Sequence, residues 1–456
     1  MSTSSILGSV LAATNGTASS AIDVTSTVND ILYADRAPER SWQAQQTALA
    51  AQTSAISQLS SESSTLSDAL AALQDQSGSL SAVTASSSNP SVVTASALAG
   101  TTIGNHTVEV DSLATTAAWY SSSVASSSTT LASGSFDLTV GSQSTTITIG
   151  SGVNTLDQVA ASINSQSLGV NASVITDSSG SRLSLVAQSS GTAADFSVST
   201  SGSSSSGLSF TQASPGADAV LKVDGVPITS ASNTVTGAVS GLTFNLLGAA
   251  RGTAVPITLT PNSDSITAAV SDFVSAFNTL IKDVNSQFSY NTATKTAGAL
   301  AADSSINGLQ SQLLTATNYA STSNTLASLT SLGISTNQDG TLTLDTTALA
   351  NAATANASAV VNFFQGAASN GFAASLQSSL SAYTDPSNGA FTVDLTSISS
   401  ENKDLTDQTT TLELYLATQQ TALTAQYNAA NIALTQLPQQ IKQLDALLNP
   451  NSTNGN

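Results

Sequence analysis

The chain has 456 residues, of which 40% are hydrophobic, 4% aromatic and 8% charged, and its formal net charge is −19. Such a negative chain repels phosphate backbones and anionic lipid surfaces, which argues against nucleic acid as a partner. The absence of cysteine excludes disulfides, thiolate nucleophiles and cysteine-based zinc sites.

The length suits about three domains at roughly 150 residues each. Residues 1–22 are rich in Ser, Thr, Ala and Gly without a sustained apolar period, so they are predicted to be disordered in isolation. They do not form a conventional signal peptide, because the basic start is missing and the apolar run is broken. No stretch approaches about 18 uninterrupted apolar residues, so membrane insertion is not expected.

An amphipathic helix is predicted after this segment, with Pro38 in its first turn. Apolar residues then recur in steps of three, four and seven, which is typical of a coiled-coil-like helix. The candidate helix-packing residues are Trp42, Leu49, Ile56, Leu59, Leu66, Leu70 and Leu73. The neighbouring Asp35-Arg36 and Glu39-Arg40 form either local solvated pairs or contacts between subunits.

From about residue 89 the period changes to two, and residues 106–114, 136–150 and 181–188 resemble strands. A short helix is predicted between them, with Thr155 as its N-cap and Leu156, Val159, Ala160 and Ile163 on one face. Serine-rich runs at 121–130 and 200–209 are expected to be flexible connections that bound a subdomain.

Residues 221–247 alternate apolar and polar side chains around Asp224-Gly225, which predicts antiparallel hairpins. Pro256 and Pro261 frame a last strand, and helical spacing returns at residues 263–288. The segments at 106–114 and 254–262 are expected to meet as strands.

A second long helix is predicted from residue 401 almost to the end of the chain. Its candidate packing residues are Leu434, Leu437, Ile441, Leu444 and Leu448. Pro438 lies among them and is expected to kink or locally open the helix.

Together these elements predict an α+β multidomain protein, in which an N- and C-terminal helical or coiled-coil stalk carries an inserted two-lobed antiparallel β head. The predicted parts are a terminal segment at 1–40, a mainly helical leg at 41–97 and 263–400, an inner β lobe at 98–120 and 218–262, an outer β lobe at 121–217, and a C-terminal coiled-coil helix at 401–456.

The sequence indicates no catalytic, cofactor or metal site. His106 is the only histidine, lies in a strand-like run and has no G-x-S-x-G partner motif, so it is interpreted as a surface or strand-end side chain. Residues 337–340 resemble part of a calcium loop, but Ser335 and Thr346 stand where acidic ligands are needed. An Asp-Gly hairpin turn between Ile334 and Leu342 is the favoured interpretation.

Three segments resemble the flagellar hook-associated protein 2 family, which caps the bacterial flagellar filament. They are AIDVTSTVNDILYADRAPERSWQAQQ at 21–46, LKVDGVPITSASNTVTGAVSGLTFNLL at 221–247 and SLGISTNQDGTLTLDTTALANAATANASAVVNFF at 331–364. A fourth segment, at 155–191, is similar to a repeat shared by flagellin-related proteins. The resemblance covers about residues 20–448.

The resemblance implies a structural role without covalent chemistry or a cofactor. Several copies would form a ring at the filament tip and guide incoming flagellin, next to other flagellar axial proteins. Secretion would follow the flagellar type III route, with a cytoplasmic export chaperone covering the C-terminal helix. For any single seam leucine, packing within or between subunits is favoured over flagellin contact. The alternatives are another axial protein, such as a junction protein, or a secreted adhesin that binds host glycans.

Overall fold

The computed structural model describes residues 22–200, 207–292, 296–321, 325–366 and 370–448. Except for Ile22, the terminal segment predicted to be disordered lies outside the described residues, as do the central residues of the serine-rich run at 200–209. The helices of the described residues are α1 Val24–Asp35, α2 Ala37–Gln74, α3 Leu156–Ser165, α4 Ser263–Phe288, α5 Ser304–Ala316, α6 Thr346–Gln365, α7 Phe372–Thr384 and α8 Ala390–Leu448.

The strands are mostly antiparallel pairs in the middle of the chain. They are β1 Val83–Ser87, β2 Val93–Ala97, β3 Gly104–Ser112, β4 Ala118–Ser121, β5 Gly134–Val140, β6 Gln143–Ile149, β7 Val170–Asp177, β8 Gly180–Ala187, β9 Phe196–Ser199, β10 Phe210–Ser214, β11 Ala219–Val223, β12 Val226–Ser230, β13 Thr234–Val239, β14 Leu242–Leu246, β15 Val255–Pro261, β16 Tyr290–Asn291, β17 Thr296–Ala297, β18 Ile334–Thr336 and β19 Leu342–Leu344. N- and C-terminal helices therefore flank a β-rich middle region, which confirms the predicted α+β class.

The described residues divide into two compact units. The described residues of the first lie within Met1–Ser67, Asn278–Thr315 and Ser378–Asn456, and they include α1, most of α2 and α8. The second comprises Asp68–Phe277 and Ala316–Gln377, and it contains the strands β1 to β15.

Part of the second unit is built from two sheets with the strand orders β1-β15-β3-β11-β12 and β13-β14-β2. Their apolar faces share one core, whose fully buried members include Val93, Val108, Leu221, Phe244 and Ile257. We call this part the inner lobe. Its strands β3 and β15 pair antiparallel, with Val108 opposite Val255, so the segments expected to meet as strands do so.

The predicted hairpins at 221–247 are present, but they lie in different sheets. The hairpin of β11 and β12 turns at Asp224 and Gly225, which both have positive φ. A type I′ turn requires this conformation at both central residues. The second hairpin, of β13 and β14, turns at Gly241 and belongs to the smaller sheet.

A second group of strands has its own core, and we call it the outer lobe. Its sheets have the orders β10-β4-β8-β7 and β6-β5-β9. Helix α3 packs here as predicted: Thr155 caps it by accepting from the Gln158 N–H, and Leu156, Val159, Ala160 and Ile163 are buried. Phe136, Leu183 and Leu185 complete the core between the sheets.

Aromatic side chains form a further core in the helical part of the second unit. Phe372 stacks on Phe363 at a ring-centroid distance of 5.7 Å and meets Phe273 edge-on at 5.4 Å. Tyr319 meets Phe363 edge-on at 5.6 Å. The Phe363-Phe364 pair of the sequence motif is therefore a packing element.

Two predicted boundaries differ from the structure. Residues 83–97, assigned to the helical leg, contain β1 and β2, which pair with β15 and β14. Their sequences VTASS and VTASA lack the large alternating apolar residues that mark a strand. Helix α8 begins at Ala390 instead of residue 401 and continues through Pro438 to Leu448. The residues around Pro438 are exposed, so water can bind the carbonyl that lacks an N–H partner.

Candidate functional site

The two sets of predicted packing residues have opposite environments. On α2, Leu49, Ile56, Leu59, Leu66, Leu70 and Leu73 are buried, and Trp42 is half-buried. On α8, Leu434 is half-buried, whereas Leu437, Ile441, Leu444 and Leu448 are 52%, 59%, 61% and 72% exposed. The seam of α2 is thus a core feature, and that of α8 presents an uncovered apolar stripe.

The exposed stripe has the geometry of a helix-packing face. Leu437, Ile441, Leu444 and Leu448 follow one another in steps of four, three and four, which places them on one side of α8. We call these four residues the α8 stripe. Monomeric proteins rarely leave contiguous apolar surface in water, so such a stripe marks an interaction face.

Upstream of the stripe, α8 is covered by α1. Val28 and Leu32 of α1 form a small core with Leu416 of α8. Val24, Leu412, Leu423 and Tyr427 pack around it, half-buried. Within the described residues, the helical cover on α8 begins at Val24, the first residue of α1.

A polar clamp fixes this end of α1. The Asn431 side chain accepts a hydrogen bond from the Ile22 N–H at 2.7 Å and donates one to the Ile22 carbonyl at 2.9 Å. Asp23 then caps α1 by accepting from the Ser26 N–H at 3.0 Å.

A second contact lies farther along the helices, where Gln46 of α2 donates to Thr406 of α8 at 3.0 Å. These contacts set an antiparallel register in which residue numbers on α1 and α2 rise as those on α8 fall.

The charged residues between α1 and α2 form a different pattern from the expected neighbouring pairs. Arg36 bonds Glu39 at 2.7 Å, and Glu39 is 8% exposed. The Arg40 guanidinium lies 4.5 Å from the centre of the Tyr33 ring. Both arginines are therefore engaged within their own chain.

An open groove of about 530 Å³ is lined by residues of α2 and α8. Its wall is mainly apolar and comes from Trp42 on α2 and from Leu412 and Tyr415 on α8, with Asp407, Gln408 and Thr411 at its edge. Tyr415 is 55% exposed and Leu414 is 68% exposed, so a further part of α8 also presents apolar side chains to water.

A carboxyl pair lies inside the first unit. Glu62 on α2 is 7% exposed and accepts from Gln58 Nε2 at 2.5 Å. Burial, together with the neighbouring Asp283 carboxyl on α4, raises the pKa of Glu62 to about 7. One carboxyl of the pair thus titrates near neutral pH. The apolar periodicity of α2 gave no indication of this pair.

His106 is half-buried and has one clear partner. Its Nδ1 lies 2.7 Å from Asp224 Oδ2, and Asp224 also accepts from the Thr107 N–H at 2.7 Å. These bonds hold the pKa of Asp224 below its usual range and tie the β11–β12 turn to β3. This geometry is that of a strand-end tether.

The described residues contain no group of three or more histidine, aspartate or glutamate side chains placed to hold a metal ion. The calcium-loop alternative at 337–340 is replaced by a hairpin, since β18 pairs with β19 and Asp339 accepts from the N–H and hydroxyl of Thr341. In the described part of the chain, no helix has an apolar stretch long enough to cross a bilayer.

Comparison with known families gives three matches. Residues 20–117 match the family described as flagellar hook-associated protein 2 N-terminus, and residues 216–439 match its C-terminus. Residues 135–189 match the flagellin hook IN motif, which spans β5 to β8 and the helix α3 between them.

Individual proteins similar to this chain come from the same family. The chain is 29% identical to the B-type flagellar hook-associated protein 2 of Pseudomonas aeruginosa, over 76% of this chain and 78% of that protein. It is 30% identical to flagellar hook-associated protein 2 of Aeromonas caviae, over 50% of this chain and 51% of that protein. It is also similar to the D1-D2-D3 domains of the flagellar cap protein FliD from Escherichia coli, with a TM-score of 0.60, 26% identity and coverage of 76% of this chain and 99% of that structure.

The N- and C-terminal matches contain the residues of the α1–α8 core and of the clamp, and the C-terminal match reaches the first residue of the α8 stripe, Leu437. The IN motif lies between the two matches, in the outer lobe. The chain therefore belongs to the flagellar hook-associated protein 2 family, the filament cap proteins of the bacterial flagellum.

Proposed function

We propose that this chain caps the flagellar filament, assembling as a ring-shaped homo-oligomer at its tip and guiding the polymerisation of exported flagellin. The observation that carries the proposal is the α8 stripe, which exposes four large apolar residues on a helix of a cap-family protein. A helix face of this kind gains stability mainly by packing against another surface. In a filament, that surface belongs to a neighbouring protein.

The α8 stripe would need a binding partner both at the filament tip and before export. At the tip, it would pack against other copies, flagellin or neighbouring axial proteins. Before export, it would need a cover in the cytoplasm, for which an export chaperone is the natural candidate. We infer secretion through the flagellar type III apparatus and a purely structural role, without catalysis or cofactor.

The domain arrangement belongs to the same proposal. The inner and outer lobes have separate cores. The core of the inner lobe comes from residues 92–114 and 219–259, and the core of the outer lobe comes from residues 117–208. This separation supports a nested head, in which the outer lobe is inserted into the inner lobe and the inner lobe into the helical part.

The test compares two matched sets of alanine substitutions on α8. Leu437→Ala, Ile441→Ala and Leu444→Ala together remove the centre of the stripe, while Gln439→Ala and Gln443→Ala change the opposite side of the same turns. Alanine keeps the helix propensity high in both variants, so only the apolar face differs.

Each variant is expressed in a bacterium whose own cap gene is deleted. The stripe variant is expected to leave unpolymerised flagellin in the medium and hooks without filaments, whereas the glutamine variant restores filaments. Normal filament length with the stripe variant would contradict the assigned surface. Failure of the unmodified chain to restore filaments in its own species would contradict the capping function itself.

A further inference from the structure

Strand β6 forms one edge of the outer-lobe sheet β6-β5-β9. It pairs with β5 over all seven residues, from Val140 opposite Gln143 to Gly134 opposite Ile149, without a register shift. Its sequence, QSTTITI, contains no charge and no proline. Ile147 and Ile149 point into the core, and Ser144, Thr146 and Thr148 are exposed.

The register also shows which backbone groups of β6 lack a strand partner. A two-residue turn at Gly141, with φ of 58°, joins β5 to β6, so Val140 and Gln143 form the first hydrogen-bonded pair. Pairs alternate from there in an antiparallel ladder. The N–H and C=O groups of Ser144, Thr146 and Thr148 therefore point away from β5 into solvent.

In the described part of the chain, the edge strands β7, β10, β12 and β13 carry a protective feature, and the edge strands β1, β2 and β9 are shorter than β6. Strand β12 contains Pro227, which has no N–H to offer, and register shifts interrupt β10 and β13. The edge of β7 is covered by Asn164, whose side chain donates to the Ala172 carbonyl and accepts from the Ala172 N–H, both at 2.8 Å. Proteins normally protect long edges in these ways, because an open edge pairs with another chain. Strand β6 has none of these protections.

We propose that β6 is an interaction surface for a second copy of this chain, pairing antiparallel with β6 of that copy around a two-fold axis at Thr146. This register aligns all seven residues of both strands, with Thr146 opposite Thr146 and Ser144 opposite Thr148. The pairing satisfies the outward backbone groups on both sides and joins the two sheets into one.

The distribution of charge favours a second copy of this chain as the partner of β6. A chain with a net charge of −19 repels its own copies over most approaches. Strand β6 itself carries no charged side chain, and the Asp137 carboxylate on the neighbouring β5 accepts a hydrogen bond from the Thr146 hydroxyl at 2.6 Å. Two copies can therefore meet at β6 without a charged side chain on either of the paired strands. Threonine and isoleucine also favour strand pairing. This contact is separate from the α8 stripe and does not depend on the capping function.

Single cysteines test the pairing directly, because the chain has none of its own. Opposed Cα atoms in a hydrogen-bonded antiparallel pair are about 5.5 Å apart, within the range of a disulfide. Thr146→Cys in the purified full chain is expected to give about tenfold more disulfide-linked dimer under mild oxidation than Thr229→Cys, an exposed position on the β12 edge.

The register is tested with two further variants. Ser144→Cys and Thr148→Cys should each form little dimer alone, but an equal mixture of the two should form the mixed dimer. Equal linking at all positions, linking of Ser144→Cys or Thr148→Cys to itself, or no excess at Thr146→Cys would each overturn the proposed pairing.

A backbone variant checks that hydrogen bonds hold the contact. Ser144→Pro and Thr148→Pro, added together to Thr146→Cys, remove two outward N–H groups and leave the ladder to β5 intact. Dimer yield should fall at least about fivefold. Thr229→Pro added to Thr146→Cys is the control, with circular dichroism confirming the fold of each variant. An unchanged yield in the double proline variant would refute strand pairing.

Discussion

The side-chain amide of Asn431 forms two hydrogen bonds with the backbone of Ile22. Its Oδ1 accepts from the Ile22 N–H at 2.7 Å, and its Nδ2 donates to the Ile22 carbonyl at 2.9 Å. The two residues are 409 positions apart in the chain. One amide on α8 therefore fixes the place where α1 begins, and it lies between the apolar α1–α8 core and the α8 stripe.

Replacing Asn431 with alanine is expected to loosen α1. The change leaves the half-buried N–H and C=O of Ile22 without their partner, which typically costs about 1–3 kcal/mol. Hydrogen exchange followed by mass spectrometry should show faster exchange in residues 22–32, with little change in α2. Asn428→Ala, at an exposed position on α8, is the matched control and should leave exchange as it is. Equal exchange in the two variants would contradict the role of the clamp.

The sequence predicted local periodic features well. The leucines of α2 and the cap and buried face of α3 follow from spacing, because a helix places residues three and four apart on one side. Spacing does not tell whether a stripe is covered, so the buried Leu66 and the exposed Leu444 appeared equivalent. The Asn431 clamp was not predictable from local pattern, since its partner is distant in the chain. Strands β1 and β2 were missed because their small residues carry no alternation of large apolar side chains.

Gly333 and Gly237 offer a test of close packing at equal backbone strain. Both have φ of +77°, a conformation that disfavours any residue with a Cβ. A Cβ at Gly333 would lie 2.8 Å from Ala348 Cβ and 2.9 Å from the Asp345 carbonyl, whereas a Cβ at Gly237 would meet nothing within 4 Å. Both alanine variants should lose about 1 kcal/mol from the backbone.

Gly333→Ala should lose about 1–3 kcal/mol more, since the start of α6 must shift to make room. Urea unfolding measured for both variants gives the difference directly. Equal losses of unfolding free energy at Gly333 and Gly237 would show that the turn at Gly333 can move away from the start of α6 without strain.

The buried Glu62 makes the stability of the helical unit depend on pH. Its pKa is raised in the folded chain, from 4.5 to about 7, chiefly by burial and also by Asp283. The stabilising contribution of the protonated form is therefore complete below about pH 4.5 and is lost as the pH rises through about 7. The effect should be on the order of 1 kcal/mol, because solvent screens part of the interaction.

Unfolding is followed by the fluorescence of Trp42, which lies on the same helix, in a Trp119→Phe background. Between pH 5 and 8, Glu62→Gln should flatten the decline in stability. Glu413→Gln, at an exposed position of α8, should leave it unchanged. An equally steep decline in Glu62→Gln would assign the pH dependence to other groups.

Asn233 is a second amide clamp, placed where the chain leaves the inner lobe for the outer lobe. Its Oδ1 accepts from the Ala114 N–H at 2.7 Å and its Nδ2 donates to the Ala114 carbonyl at 2.9 Å. Next to it, Ser190 donates to the Ala231 carbonyl at 2.7 Å and Gly191 donates to the Thr115 carbonyl at 3.1 Å. The crossing segment at Ala114 and Thr115 is therefore hydrogen-bonded to the inner lobe through Asn233 and to the outer lobe through Gly191.

Asn233→Ala should lower the free energy of unfolding by about 1–3 kcal/mol, because the N–H and C=O of the buried Ala114 both lose their partner. Asn233→Asp keeps the acceptor and loses the donor, so its stability should fall between those of alanine and asparagine. Trp119 fluorescence in a Trp42→Phe background reports on the outer lobe, where the Trp119 indole donates to the Phe196 carbonyl. Asn105→Ala, at an exposed position of β3, should change stability by less than about 0.5 kcal/mol. If Asn233→Ala unfolds like that control, the clamp does not hold the lobe connection.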